Sequence, residues 1–190
     1  LIVCLDCGIK AVEKVAYAKN KDVDFIICDH HRPGDTLPLA VAVLDPKRSD
    51  CDYPFKELCG CGVGFKLAQA YHQKYNLPFK DLVPLLDLVV VSIAADIVPM
   101  IDENRVLSFY GLKQLNTSPR IGLKALMDVA NRKDAFNISD VVFGLAPRIN
   151  AAGRIEHGNK AVELLVQQDF SIAKENADYI DNHNFTRKEL

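Results

Sequence analysis

No charge of one sign dominates this sequence. Its 23 basic and 25 acidic residues leave a formal net charge of −2, so no overall field advertises nucleic acid, a membrane surface or an acidic substrate. Any such partner must be read locally. No uninterrupted apolar run reaches the roughly 18 to 20 residues that a membrane span needs, and no basic region followed by a longer apolar one opens the chain. The expectation is a soluble, cytoplasmic protein with no membrane partner. Internal repeats and low-complexity tracts are also lacking. A disulfide framework is not indicated either. Of the six cysteines (Cys4, Cys7, Cys28, Cys51, Cys59 and Cys61), three lie in or beside apolar runs of the kind that make an α/β core, and a reduced, cytosolic chain fits them better. The chain does not begin with Met. Leu1 stands already inside an apolar run, and the expectation is an internal piece of a longer protein.

What is present is enough apolar material, 49% of 190 residues, for one full core. Residues 1–5 are an apolar run, residues 9–20 carry apolar side chains near helical spacing, and residues 23–28 are apolar again apart from Asp24. Strand, helix and strand in that order make a βαβ unit, whose crossover makes the two strands parallel. A third strand is expected over residues 40–44, ending at Asp45-Pro46. From the glycine cluster Gly60, Gly62 and Gly64 onward the chain reads as helical. Helices are expected over 63–75, over a very apolar stretch at 82–98 with Pro84 in its first turn, from Asp102 as N-cap to 115, and over 122–130, 139–145, 160–167 and 171 to the end.

Asp6 and Asp29 each follow an apolar run directly, at the carboxyl ends of two parallel strands, which is the edge where open α/β sheets bind ligands. A carboxylate, then a carboxylate with His30 and His31, is a donor set suited to Mn²⁺, Mg²⁺ or Fe²⁺ rather than to thiolate-bound zinc. Strand alternation points His30 and His31 to opposite sides, so one is expected as a ligand and the other as free for substrate. Against this stands the plainer reading of Asp6 as a helix cap and Asp29-His30-His31 as a polar strand end. Asp96 emerges from the apolar stretch before it, where a buried carboxylate costs several kcal/mol unless paired or metal-bound, roughly 3 or more. Its plainer reading is a helix-end carboxylate in water or an ion pair with Arg105.

Between Arg105 and Arg154 stand eight basic residues (Arg105, Lys113, Arg120, Lys124, Arg132, Lys133, Arg148, Arg154) and three acidic ones (Asp128, Asp134, Asp140). Within this basic region, Arg148, Asn150 and Arg154 combine guanidinium forks, an amide and small neighbours suited to a phosphate. Surface arginines without a ligand are the alternative. Cys4-Leu5-Asp6-Cys7 matches a C-x-x-C pattern, but Cys59 and Cys61 have one spacer where zinc knuckles have two to four. The glycine cluster lacks the Lys-Ser/Thr ending of a P-loop, so tight packing of the following helix is the better reading.

Leu5-Asp6-Cys7-Gly8, Asp29-His30-His31, Gly60-Cys61-Gly62-Val63-Gly64-Phe65-Lys66-Leu67, Ile93-Ala94-Ala95-Asp96-Ile97-Val98-Pro99 with Asn104-Arg105, and Pro147-Arg148-Ile149-Asn150-Ala151-Ala152-Gly153-Arg154 occur in this order. Together they resemble the DHH phosphoesterase superfamily, and within it the RecJ-type bacterial exonucleases specific for single strands. The resemblance runs from residue 1 to about 165. It implies an α/β fold, a parallel-sheet phosphoesterase domain over 1–165 followed by a mostly helical part, with 166–190 as a connector helix toward a second domain. It implies two divalent metal ions, Mn²⁺ or Mg²⁺, with Asp6 bridging them, His30 and Asp96 completing one coordination shell, Asp29 behind the ligands, and His31 on the scissile phosphate. Arg148, Asn150, Arg154 and Arg105 are implied near the nucleic-acid backbone.

The activity implied is metal-assisted hydrolysis of single-stranded DNA from a 5′ end, in DNA repair and recombination. Single-stranded DNA is the implied partner, with a single-stranded-DNA-binding protein or a helicase beside it. The family's upstream Asp-x-Asp cluster is not in the chain, so its metal site is expected to be incomplete and the chain inactive by itself. Two other readings stand beside this one. A DHH phosphodiesterase acting on short oligonucleotides, cyclic dinucleotides or pyrophosphate is not expected to carry the basic excess. A non-catalytic scaffold is not expected to keep Asp6, His30, His31 and Asp96 together.

Overall fold

The three apolar runs near the start form a parallel sheet. In the computed structural model, which describes residues 1–132, 134–155 and 158–188 (for 152–155 and 183–188 the backbone only), β1 (Ile2–Leu5), β2 (Phe25–Cys28) and β3 (Ala42–Leu44) lie in the order β1-β2-β3. Leu5 pairs with Cys28 and Cys28 with Leu44, so the three strands end level with one another. Between β1 and β2 runs α1 (Val12–Lys19), which buries Val15. After β3 comes α2 (Gly60–Lys74), packed on β1 and β2. A side chain at Gly64 would press a Cβ to 2.9 Å from Leu5 Cδ2. The glycine cluster therefore serves close helix–sheet packing, as its sequence suggested.

Contacts group the chain into two compact units, Leu1–Leu85 with Val98–Leu107, and Leu86–Ile97 with Ser108–Leu190. The first holds the sheet, α1, α2 and two short 3₁₀ turns at Phe79–Asp81 and Val83–Leu85. Ile9, Ile27, Leu58, Val63 and Phe65 are buried in it. Pro84 falls in the second 3₁₀ turn, which displaces the start of the next helix to Leu86.

The second unit is helical. Its elements are α3 (Leu86–Asp96), the later turns of α4 (Asp102–Thr117), α5 (Ile121–Val129), α6 (Ile138–Asp140), a π turn (Val141–Leu145), α7 (Ala146–Ile155), α8 (Asn159–Val166) and α9 (Phe170–Lys188). α3 is apolar nearly all round and buries Leu86, Val89, Val90, Val91, Ile93 and Ala94, as its composition requires. Asp87 on the same helix is 1% exposed and is matched by Arg120, whose Nη2 donates to Oδ1 at 2.8 Å, whose Nε donates to both oxygens, and whose backbone N–H donates to Oδ2 at 3.0 Å. A side chain at Gly111 would collide with the Leu86 carbonyl and Val90, and one at Gly122 with the Leu164 carbonyl. α9 lies in the segment expected as a connector, and its Ala173, Ala177 and Ile180 are buried in this unit's core.

The sequence reading ends a helix at residue 145, whereas the structure continues through the π turn into α7. Pro147 has no N–H for the carbonyl of Phe143, and the chain widens into i→i+5 bonding just before it. Among the described residues, no helix is long and apolar enough to cross a membrane.

Candidate metal centre

Because the strands end level, the residue after each of them falls on one edge, and all three are aspartates: Asp6, Asp29 and Asp45. Asp6 N–H donates to the Cys28 carbonyl at 2.8 Å and Asp29 N–H to the Leu44 carbonyl at 3.0 Å, which extends the ladder by one step. The three side chains then part company. Asp6 adopts φ +63°, a left-handed conformation that costs about 1 kcal/mol and that Asp tolerates better than most residues. This turn carries its carboxylate out, 47% exposed. The same carboxylate packs on the first residue of α2, and a Cβ at Gly60 would collide with it.

Asp29 is buried, 1% exposed, and is saturated with donors. Its Oδ2 accepts from Ile9 N–H at 2.9 Å, and its Oδ1 from His30 N–H at 2.8 Å, His31 N–H at 3.2 Å and the His31 ring Nδ1 at 2.6 Å. Burial pushes its pKa up, but the hydrogen bonds from Ile9, His31 and His30 together outweigh burial and hold the carboxyl below the usual range. A carboxylate on Nδ1 fixes the orientation of the His31 ring, the arrangement that orients metal-ligating or phosphate-contacting imidazoles.

His30 is buried, and its Nε2 lies 3.0 Å from Asp6 Oδ1. The ligand atoms of Asp6, His30 and His31 all lie within 4.8 Å of one another, the only such three-residue group of His, Cys, Asp or Glu among the described residues. The divergence of His30 and His31 expected from strand alternation is not what the structure has. The strand ends at Cys28, residue 31 sits in a bend, and the period of two no longer applies. One carboxylate oxygen and two imidazole nitrogens at this spacing fit a divalent cation such as Mn²⁺.

Asp45 has no place in the sequence-based site, although the rule that found Asp6 and Asp29, an aspartate directly after an apolar run, applies to it equally. It is 2% exposed, and its Oδ1 accepts from Lys47 N–H at 2.8 Å. Burial, with Asp29 nearby, raises its pKa against the opposing effect of Lys47 and His30.

The other expected residues are not members of this three-residue group. Asp96 closes α3 in the second unit and is exposed, so the argument that a buried carboxylate there needs a cation does not hold. Arg105 is exposed on α4. Next to it, Asn104 is buried and donates to the carbonyls of Glu57 at 2.6 Å and Pro99 at 3.0 Å. Arg148 on α7 is engaged within the protein. Its Nε donates to Asp181 Oδ1 on α9 at 2.7 Å and its Nη1 to the Gly144 carbonyl at 2.7 Å. Asn150 is exposed. The side chain of Arg154 lies outside the described residues.

The profile of the DHH family N-terminal domain matches residues 1–93, the stretch that carries Asp6, Asp29, His30 and His31. That stretch is a DHH family N-terminal domain. Across its whole length, the chain is 44% identical to the single-stranded-DNA-specific exonuclease RecJ of Bacillus subtilis (strain 168) over 191 residues, and 40% identical to that of Escherichia coli (strain K12) over 202 residues. The crystal structure of RecJ in complex with Mn²⁺ from Thermus thermophilus matches it with a TM-score of 0.89 at 32% identity over 98% of the chain, and that of the Mg²⁺ complex with 0.77 at 30% identity. The chain spans 24% of the length of the Bacillus relative and 35% of the Escherichia one, and 28% of the Mn²⁺-bound structure. The expected α/β fold with a parallel sheet is the fold found.

Proposed function

We propose that the protein containing this DHH chain is a metal-dependent hydrolase that removes nucleotides from single-stranded DNA. The observation that carries this reading is the convergence of Asp6, His30 and His31 on the carboxyl edge of the sheet, with Asp29 locking the His31 ring from behind. Asp6 and His30 hold a divalent cation, Mn²⁺ or Mg²⁺. The bound metal supplies an activated water and neutralises charge on the phosphate. Asp29 keeps a negative charge behind His31, which leaves the outer ring nitrogen of His31 to face the substrate phosphate. The relatives named for single-strand-specific DNA exonuclease activity and the Mn²⁺ and Mg²⁺ complexes of one of them support the substrate and the metals. Cleavage from a 5′ end, a role in DNA repair and recombination, a cytoplasmic location, and work beside a single-stranded-DNA-binding protein or a helicase rest on the family resemblance. So do a metal-ligand role for Asp96 and phosphate contacts by Arg105, Asn150 and Arg154.

The test is release of nucleotides from 5′-labelled single-stranded DNA by the full-length protein with and without Mn²⁺. Wild type should depend on the metal, and Asp6→Ala and His30→Ala should each lose at least about a hundredfold in rate. Undiminished activity in either variant would sink the mechanism.

A further inference from the structure

The cavity onto which Asp6, Asp29 and His31 open has a volume of about 640 Å³, and its other wall is residues 8–14, the loop entering α1 and the first turn of that helix. Lys10 and Lys14 stand on that wall. Both are exposed, and neither ammonium has an ion-pair or hydrogen-bond partner among the described residues. An exposed lysine is ordinarily just a solvated charge. What sets these two apart is that they share one cavity with a cluster built to hold cations. Glu13 lies on the same wall, which leaves one positive charge in excess there. Once the acidic wall carries divalent metal, a phosphate entering the cavity meets positive charge from both sides.

We propose, resting on the single-strand exonuclease reading, that Lys10 and Lys14 bind the backbone phosphates next to the one being hydrolysed and so set how the strand enters the site. Lysine suits this task. An ammonium is a point charge on a flexible stem, able to follow an irregular single-stranded backbone without demanding one geometry or one base. Of the guanidiniums that the sequence offered for phosphate binding, Arg148 is bonded to Asp181 and to the Gly144 carbonyl.

The experiment measures binding of a phosphorothioate single-stranded oligonucleotide to the full-length protein in Mn²⁺ at about 50 and about 200 mM salt, where each phosphate contact on a single strand contributes about 0.7 to the slope of log K against log salt. Losing two contacts should lower the slope by about 1.4, so wild type should lose about sevenfold more affinity over that range than Lys10→Ala/Lys14→Ala. The Lys10→Arg/Lys14→Arg protein should keep the wild-type slope, and Lys19→Ala, at the far end of α1, should change nothing. An unchanged slope in the double alanine protein overturns the proposal, as does an equal loss in Lys19→Ala, which would mean a general field rather than a site. A wild type that binds with the lysine-dependent slope yet releases no nucleotides from unmodified DNA would refute the exonuclease reading alone and leave the lysine wall standing.

Discussion

Asp29→Asn is the sharpest probe of how the centre is held, because it changes one oxygen to an NH₂ and leaves shape almost untouched. Asp29 accepts from Ile9, from the His30 and His31 backbones and from the His31 ring, all while 1% exposed. An asparagine oxygen can keep the Oδ1 side of this arrangement. The NH₂ then faces Ile9 N–H, donor against donor, and neither has another partner available. Losing a hydrogen bond to a charged acceptor and stranding a buried N–H costs about 2–4 kcal/mol, and the surviving bonds weaken toward neutral strength. Amide hydrogen exchange reads this locally. In metal-free buffer the Ile9 amide should exchange roughly a hundredfold faster than in wild type, since about 1.4 kcal/mol is a factor of ten. With the His31 ring no longer held by an anion, Mn²⁺ affinity should fall about 10- to 100-fold in the same protein. An Ile9 exchange rate within about threefold of wild type would refute the account of Asp29 as the organiser of this site.

Gly60→Ala should displace the Asp6 carboxylate, because the added Cβ collides with it, and calorimetric titration should show Mn²⁺ affinity down at least about tenfold. Gly34→Ala, where nothing lies within 4 Å, is the control and should bind Mn²⁺ as wild type does. Tyr53 donates to Glu103 Oε2 at 2.6 Å, and burial first, then that hydrogen bond, raises its pKa above its ordinary 10.0. The fold favours the protonated phenol, so this contribution is present below about pH 10 and is lost as pH rises through the folded pKa. Thermal melts should therefore show wild type more stable than Tyr53→Phe at pH 8, with the gap closing above pH 10. A gap that stays constant to pH 11 or beyond contradicts the assignment.

How much was legible in the sequence depends on the range of the forces involved. The strands were readable because continuous apolar runs end sharply at Asp6, Asp29 and Asp45, and a parallel crossover forces those ends onto one edge. The tight packing of Gly60 and Gly64 was readable as a class of behaviour, though not that Asp6 and Leu5 are what they pack against. α7 was hidden because Ala146-Pro147 is a stop signal locally, and only the preceding π turn and the anchoring of Arg148 by Asp181 carry the helix past it. The exposure of Asp96 was one of two readings that the sequence left open. An apolar stretch says that α3 is buried, but not on which residue burial ends. Asp87, the carboxylate that burial does put at risk, finds Arg120 across 33 positions of sequence.

The sequence by itself determined the family, the α/β order and the edge on which Asp6 and Asp29-His30-His31 stand. The family follows from the resemblance of its ordered motifs, and the α/β order and the edge follow from periodicity and from residue types at short spacing. The tertiary structure decided how the side chains on that edge are used. Asp29 turns inward to four donors. Asp6 turns outward through a left-handed residue against Gly60. His30 and His31 converge because the strand stops before them, and Lys10 and Lys14 form the facing wall. Each of these outcomes is set by contacts between segments that are close only after folding, where burial and hydrogen bonding select one rotamer and one backbone turn from several that the local sequence allows equally.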